Sequence, residues 1–288
     1  MSMQKMRSIL VKSLIVLAVF SPFEGFSKGV DYWNGEDYFK NSSSQKEAAG
    51  DLLKYVPLRR DETVLDVGCG DGKITAGLAK KYPFINFIGL DISSSMIDFA
   101  QNNFPSEENP NLQFQLGDAL QIDHNQEFDV ILSFTTLQWI KDHNEFLKRA
   151  HGALKDSGVL AITMPLGPPK NLDQAVHEAI SNPEWASYFQ GFETGWNFAD
   201  VEEYQSFLAK NHFDVIRYAV VPQKDVFSSQ ASFEAFLAQI FPYLRALPKE
   251  KKQQFLRQVV DRFLALENFP NGEVHWKFLR LEVVATKH

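Results

Sequence analysis

The sequence contains a single cysteine and an excess of acidic over basic residues. Because Cys69 has no second cysteine to pair with, no intramolecular disulfide can form. This removes one sign of an exported protein without excluding export. The formal net charge is −7, whereas a general nucleic-acid binder needs a basic face to displace counterions from phosphates. We therefore predict no nucleic-acid partner.

Several common catalytic motifs are also missing. The seven histidines do not combine with cysteine or aspartate at a spacing typical of zinc, so we predict no metal. Neither a nucleophilic-serine elbow nor a phosphate-binding P-loop occurs, and no internal repeat is visible. The chain of 288 residues is 44% hydrophobic and 23% charged, which is ordinary for one large α/β domain or two small ones.

The first 28 residues differ in composition from the rest of the chain. Lys5 and Arg7 precede an apolar run over residues 13–20, and residues 25–27 show a small-x-small pattern. This arrangement is typical of a signal peptide or a weak membrane tether, although the run is too short to span a bilayer comfortably. A disordered or mis-started N-terminus is the alternative. We predict a signal-like or disordered segment over 1–28 and one domain over 29–288.

Short apolar segments alternate with helical ones through the first part of this domain. The predicted strands are Thr63–Val67, Phe84–Leu90, Leu112–Leu116, Phe128–Phe134 and Gly158–Met164, and the predicted helices are 45–55, 74–81, 96–103 and 145–154. Ser44 and Glu47 fit a capping box at the start of the first helix. Strands that alternate with helices indicate a parallel sheet covered on both faces.

Beyond Pro165 the pattern changes. Helices are predicted at 172–180, 201–211, 229–244 and 249–266, and strands at 215–221 and 274–286. The last two helices fall between the last two strands, which predicts a lid over the carboxyl edge of the sheet, where open α/β sheets bind ligands. The alternative is that they extend the core. The predicted fold is α/β: a Rossmann-like, doubly wound, mostly parallel seven-stranded sheet with helices on both faces and a helical lid at about 223–272.

The most informative motif follows the first predicted strand and reads Gly68-x-Gly70-x-Gly72. Glycine permits positive φ and a close approach of backbone to ligand at such a bend. The N-terminus of the following helix favours a carboxylate. This spacing differs from the G-x-G-x-x-G of nicotinamide and flavin folds, and it therefore counts against a nicotinamide oxidoreductase.

Acidic residues at the ends of the next strands indicate which cofactor is bound. Asp91, 25 residues after Asp66, can accept both hydroxyls of a ribose from the end of the second strand. Met96 can rest on an adenine ring through its thioether, or it belongs to the core. Asp118 after the third strand can accept the adenine amino group. Together with the glycine motif, these residues predict S-adenosylmethionine (SAM).

The sequence resembles the class I SAM-dependent methyltransferases, and within them the group that methylates trans-aconitate and juvenile-hormone acid. The similarity rests on 41–45, the glycine motif, Leu137-Gln138-Trp139 and 278–283. It is strongest from Ser42 to Pro165. The Pro-Gly-Gly that usually precedes the fifth strand is absent, and Lys155-Asp156-Ser157-Gly158 stands there instead.

The resemblance and the motif together predict the site. The predicted cofactor contacts are Asp66, Gly68, Cys69, Gly70, Asp71, Gly72, Asp91, Ile92, Met96, Asp118, Ala119 and Ser133. The resemblance implies that Gln45 and Trp139 reach the transferring methyl group or the acceptor. Their amide and indole N–H groups are donors suited to holding a carboxylate. A residue of the first helical turn and a core aromatic are the respective alternatives.

The acceptor implied by the resemblance is the carboxylate of a small organic acid such as trans-aconitate. A carboxyl group with a pKa of about 4 is already an anionic nucleophile at neutral pH. No general base is then needed, and the rate gain comes from alignment and desolvation. A malonyl thioester on a carrier protein, another small-molecule acceptor and a non-catalytic SAM-binding protein stay open. Enzymes that methylate amino groups carry an Asn/Asp-Pro-Pro-aromatic turn, and Ser133-Phe134-Thr135-Thr136 occupies that position.

We predict a monomer that takes a small-molecule acid and has no stable membrane span. SAM is made in the cytosol, which favours the cytoplasm, while export or tethering through residues 1–27 stays an equal alternative. Cations that could hold further carboxylates of the acceptor are Lys170, Arg217, Arg245 and Arg280.

Overall fold

The computed structural model describes residues 31–41, 43–267, 269 and 272–288, without the side chains of residues 37 and 40–46. The predictions for residues 1–28 therefore lie outside the described residues. Within the described part, none of the helices is long and apolar enough to cross a membrane.

A mixed sheet forms the centre of the fold. Its strands are β1 (Thr63–Val67), β2 (Asn86–Asp91), β3 (Leu112–Leu116), β4 (Phe128–Phe134), β5 (Leu154–Pro165), β6 (Phe213–Phe227) and β7 (Val274–Lys287). They lie in the order β3-β2-β1-β4-β5-β7-β6. The first five strands are parallel, and β7 runs antiparallel to both β5 and β6. The predicted mostly parallel seven-stranded sheet is confirmed.

Nine helices in the described part surround the sheet. They are α1 (Gly35–Asn41), α2 (Ser43–Leu52), α3 (Lys73–Lys81), α4 (Ser94–Asn103), α5 (His143–Ala153), α6 (Lys170–Ile180), α7 (Val201–Lys210), α8 (Gln230–Ile240) and α9 (Lys249–Leu266). Polar side chains begin several of them, because an N-cap oxygen satisfies an otherwise free backbone N–H. Ser93 caps α4, Asp142 caps α5 and Asp200 caps α7.

Several predicted boundaries are wrong. β2 begins at Asn86 rather than Phe84, and β5 begins at Leu154 rather than Gly158. α2 begins at Ser43, so Ser44 lies inside the helix and is not its cap. The helix predicted over 229–244 ends at Ile240, because Pro242 has no backbone N–H to continue it, and a 3-10 helix follows over Pro242–Ala246. β6 has 15 residues and extends well beyond the predicted 215–221, since β7 pairs with its whole length.

Two apolar layers cover the parallel strands, one on each face. Val64, Leu132 and Ala161 belong to one layer, with side chains from α3 and α4. Leu65, Ile131 and Leu160 belong to the other, with side chains from α5 and α7. Strands buried on both faces are near-continuous apolar runs in sequence, which is why β1 and β4 were predicted at their observed bounds.

The helices between β6 and β7 have an apolar core of their own. Phe233 of α8 and Val260 of α9 are fully buried there, beside Trp185, whose indole N–H donates to Gln258 Oε1 at 2.7 Å. Val176 and Ala179 of α6 belong to the same cluster. We call α6, α8 and α9 the lid. It is larger than the inserted pair of helices that the sequence predicted.

Candidate active site

The carboxyl ends of the central strands border a cavity of about 400 Å³, which we call the main cavity. Gly68, Gly70 and Asp91 line it from the sheet, and Leu237 and Phe278 line it from α8 and β7. The sheet order reverses between β1 and β4, and crevices at such a switch point are where open α/β sheets bind ligands. The main cavity is therefore the candidate site.

The glycine turn after β1 requires glycine for two different reasons. Gly68, Gly70 and Gly72 have φ angles of 74°, 53° and 76°, in the left-handed region that side chains disfavour. A Cβ at position 68 would lie 2.1 Å from Thr136 Cγ2, whereas a Cβ at position 70 would meet only Tyr38 Cε1, at 3.7 Å. Gly68 is thus required by packing, and Gly70 leaves open space beside the main cavity.

Asp91 joins the end of β2 to the glycine turn. Its Oδ2 accepts a hydrogen bond from Gly70 N at 2.9 Å, and its Oδ1 accepts one from Ser93 N at 2.9 Å. Burial raises the pKa of Asp91, while these two backbone hydrogen bonds oppose the rise. A carboxylate has about four acceptor positions, so Asp91 can accept further hydrogen bonds from a ligand in the main cavity.

Other predicted cofactor contacts line the main cavity as well, namely Ile92, Met96, Asp118 and Ala119. Asp118 Oδ1 accepts a hydrogen bond from Leu120 N at 2.8 Å and thereby begins the 3-10 helix Ala119–Gln121. Met96 is almost fully buried yet reaches the lining. The structure therefore brings together eight of the predicted site residues, these four with Gly68, Gly70, Asp91 and Trp139.

The remaining predicted cofactor contacts, Asp66, Cys69, Asp71, Gly72 and Ser133, lie outside the described lining of the main cavity. Asp66 Oδ2 accepts from Thr75 Oγ1 at 2.6 Å, and Ser133 Oγ donates to Val67 O at 3.0 Å. Burial raises the pKa of Asp66 to about 7, against the effect of the Thr75 hydrogen bond. These five residues build the turn and the strand ends, and direct contact with a cofactor stays a prediction for them.

Trp139 is one of several aromatic residues on the lid side of the main cavity. It ends the 3-10 helix Leu137–Trp139 that follows β4. Its ring centroid lies 5.3 Å from that of Trp33, edge to face at 89°, and 6.0 Å from that of Trp196. Gln45 lies in α2, and its side chain is outside the described part. The pairing of Gln45 with Trp139 therefore stays a prediction.

The chain shares its domain type and most of its length with known methyltransferases. Residues 58–189 match a family described as a methyltransferase domain. Over 261 residues, 88% of this chain and 98% of the relative, the chain is 29% identical to trans-aconitate 2-methyltransferase of Shigella flexneri serotype 5b. The chain is a SAM-dependent methyltransferase. This confirms the predicted enzyme class and the predicted cofactor, and it excludes the nicotinamide alternative.

Solved structures support the fold of this methyltransferase. The YcgJ protein of Bacillus subtilis superimposes with a TM-score of 0.57 at 16% identity, over 84% of this chain and 98% of that one. Phosphoethanolamine N-methyltransferase 2 of Haemonchus contortus, solved with phosphomonomethylethanolamine and S-adenosylhomocysteine, gives 0.54 at 18% identity, over 85% of this chain and 53% of that one.

The residues of the main cavity fit SAM. The open space at Gly70 admits a ligand against the backbone, and the half-buried Asp91 offers acceptor positions for ribose hydroxyls. Two further polar atoms in the lining, Gln138 Oε1 and Thr163 Oγ1, are buried without a hydrogen-bond partner among the described residues. Because buried polar groups normally find partners, each of these atoms leaves a hydrogen-bond position for a polar ligand or an ordered water.

Gln138 and Thr163 were missed by the sequence analysis. Gln138 Nε2 donates to Thr135 O at 2.8 Å, which turns the amide oxygen of Gln138 away from that carbonyl. Thr135 itself has a φ of 54°, which is unusual for a β-branched residue and typical of functional sites. Gln138 was visible only as a member of Leu137-Gln138-Trp139, and a strained φ leaves no trace in sequence.

The four candidate cations have different surroundings. Arg217 and Arg280 both bind the buried Glu282, at 2.6 Å and 2.7 Å, and Arg280 Nη1 also donates to Gln223 Oε1 at 2.6 Å. Lys170 begins α6 and is exposed. Of these four cations, only Arg245 contacts Trp139, the residue predicted to hold the acceptor molecule. Its guanidinium carbon lies 5.1 Å from the ring centroid of Trp139.

Proposed function

We propose that this methyltransferase transfers the methyl group of SAM to a carboxylate oxygen of a small organic acid. The observation that carries the proposal is the placement of Trp139, which lines the same cavity as Gly70 and Asp91 and carries an indole N–H donor. An N–H donor in a partly enclosed cavity suits an anionic acceptor. The similarity to a trans-aconitate 2-methyltransferase supports the same acceptor class.

The carboxylates that line the main cavity have other roles than that of a general base, which suits an acceptor that needs no deprotonation. The carboxylates among the described lining residues are Asp91, Asp118 and Asp225. The first two occupy the end that fits SAM, and Asp225 Oδ1 accepts a hydrogen bond from Gln223 Nε2 at 2.9 Å. A carboxylate acceptor is already ionised at neutral pH, so the reaction can proceed by positioning the acceptor and the methyl donor.

When bound, SAM supplies a methyl group that is activated by its sulfonium sulfur. In our proposal the indole N–H of Trp139 and the amide of Gln45 orient the acceptor carboxylate so that its oxygen faces this methyl group. Phe236, Trp276 and Phe278 line the cavity from the lid side and exclude water, which would otherwise solvate the carboxylate and weaken it as a nucleophile. Alignment and desolvation of this kind supply most of the rate gain.

The test is methyl transfer from labelled SAM to a panel containing organic acids, an alcohol, an amine, a thiol and a malonyl thioester. We expect label in base-labile methyl esters of one or more acids. Trp139→Phe keeps the aromatic volume but removes the N–H donor, so it should lower kcat/KM by about 10-fold or more. Asp98→Asn, at an exposed position of α4, is the matched control. Label in the amine, thiol or thioester with none in any acid would refute the proposal.

A further inference from the structure

Arg245 is a half-buried cation without an acidic partner among the described residues. It lies in the 3-10 helix that connects α8 to α9, and its guanidinium carbon is 4.9 Å from the ring centroid of Tyr32 and 5.1 Å from that of Trp139. Burial lowers the pKa of Arg245, as expected for a cation removed from water without a counter-ion. An anion that binds beside Arg245 would recover part of this cost.

A second cavity of about 270 Å³ lies against Arg245. The charged residues in its described lining are Arg245 and Lys252, both basic, although the chain as a whole is acidic. Gln239 and Gln253 add polar side chains to this lining. A cavity with two cations in a protein of net charge −7 favours an anionic ligand.

The second cavity adjoins the main cavity. Trp33 and Ile240 line both of them, and Arg245 contacts Trp139, which lines the main cavity. Contacts between a guanidinium and aromatic rings use none of its N–H groups. Within the described residues, the donors of Arg245 therefore stay available for a planar, bidentate partner such as a carboxylate.

We propose that the second cavity, the lid anion pocket formed by Arg245 and Lys252, binds a second carboxylate of the acceptor acid. This inference rests on the proposed function, since the first carboxylate is the group that is methylated. Trp33 and Ile240, which line both cavities, offer apolar surface to the short carbon chain that joins the two carboxylates of the acid. Arg245 is accordingly a specificity-determining residue that selects dicarboxylates and tricarboxylates over monocarboxylates.

The test compares two acids that differ only at one end, trans-glutaconate and trans-2-pentenoate. We expect the wild type to have a kcat/KM for the diacid at least about 10-fold above that for the monoacid. Arg245→Met keeps much of the side-chain volume but removes the charge, so it should raise KM for the diacid about 10-fold and leave the monoacid within about 3-fold. Arg245→Lys should retain part of the preference, and Lys252→Met should lower it.

Lys249→Met, at the exposed start of α9, is the matched control and should change neither acid. The inference is overturned if Arg245→Met affects both acids equally while its thermal unfolding matches the wild type. The proposed function fails only if no acid of the panel is labelled. If the wild type methylates neither of these two acids, calorimetric binding of trans-glutaconate in the presence of S-adenosylhomocysteine tests the pocket by itself. Binding that is lost in Arg245→Met supports the pocket, and equal binding or no binding overturns it.

Discussion

Thr136 occupies the space that a side chain at position 68 would need. Its Oγ1 donates a hydrogen bond to Gly68 O at 3.2 Å, and a Cβ at position 68 would lie 2.1 Å from its Cγ2. The end of β4 thus fixes the path of the turn after β1. Because Gly70, two residues further on, has no such neighbour, the two glycines should respond differently to substitution.

Gly68→Ala should lower the thermal unfolding temperature strongly. The added methyl group would overlap the Thr136 side chain, so either the turn or Thr136 has to move. Gly70→Ala should cost only about 1–2 kcal/mol from its left-handed φ, yet weaken SAM binding by about 10-fold or more, since its methyl group enters ligand space. Calorimetry with SAM and thermal unfolding separate the two effects. Gly77→Ala, with nothing within 4 Å of the added Cβ, is the control. SAM binding by Gly70→Ala with wild-type affinity would contradict the expectation.

Asp91→Asn tests the acceptor at the end of β2. An asparagine can keep one of the two backbone hydrogen bonds, but its NH₂ group faces the other donor and cannot accept from a ribose hydroxyl. We expect the Kd for S-adenosylhomocysteine to rise by about 10- to 100-fold. Asp98→Asn carries the same chemical change at an exposed position of α4 and should bind as the wild type does. Equal affinities for the two variants would exclude Asp91 from the cofactor site.

Asp66 should make stability depend on pH. Its pKa is about 7 in the folded state, against 3.8 as the ordinary value, so the folded protein holds this proton more tightly than the unfolded chain does. Between pH 4 and 7 Asp66 ionises in the unfolded chain before it does in the folded protein, so its contribution to wild-type stability falls as pH rises. Asp66→Asn cannot ionise and can still accept from Thr75. The quantity to compare is the free energy of unfolding of Asp66→Asn minus that of the wild type. This difference should be larger at pH 8 than at pH 4, by up to about 4 kcal/mol.

Denaturant unfolding at the two pH values, without SAM, measures this difference. Asp98→Asn again serves as the control, because its exposed carboxyl should give the same relative stability at both pH values. A difference for Asp66→Asn that does not change with pH would show that Asp66 is ionised in the folded protein at low pH.

Thr135 offers a test of strain at the site. A threonine at a φ of 54° costs about 1–2 kcal/mol, and asparagine tolerates this region better. Thr135→Asn should therefore raise the thermal unfolding temperature by a few degrees, roughly as expected for 1 kcal/mol in a protein of this size. An unchanged unfolding temperature would argue against stored strain.

Much of the sheet could be predicted because a parallel strand that is buried on both faces is a continuous apolar run in the sequence. β1 and β4 were predicted at their observed bounds, and the turn between β1 and α3 was visible in its glycines. The lid was predicted only in part. α6 packs on α9 about 80 residues away, and no local pattern in α6 distinguishes that contact from packing on the sheet.

Some site residues could be predicted from residue type and position in the sequence. Others could not, because their role depends on a contact with a distant part of the chain. Asp91 was predicted from its position at the end of the second strand and Trp139 from the family resemblance, and both line the main cavity. Ser133 stands at a similar position, but its hydroxyl donates to Val67 O, which depends on strand pairing. Likewise, Arg217 and Arg245 look alike in sequence, and only the structure shows that the first is bound to Glu282 and the second is not.

The position of β7 has a consequence for the order in which the chain can assemble. β6 has β7 as its sheet neighbour, and β7 follows the other six strands in sequence. During synthesis the five parallel strands, with the glycine turn and Asp91, are complete long before Val274 is made. In this sheet β6 then has no strand to pair with until Val274–Lys287 emerge. The half of the molecule with the glycine turn and Asp91 can therefore form first, and β7, the last of the seven strands to be made, closes the lid side of the cavity.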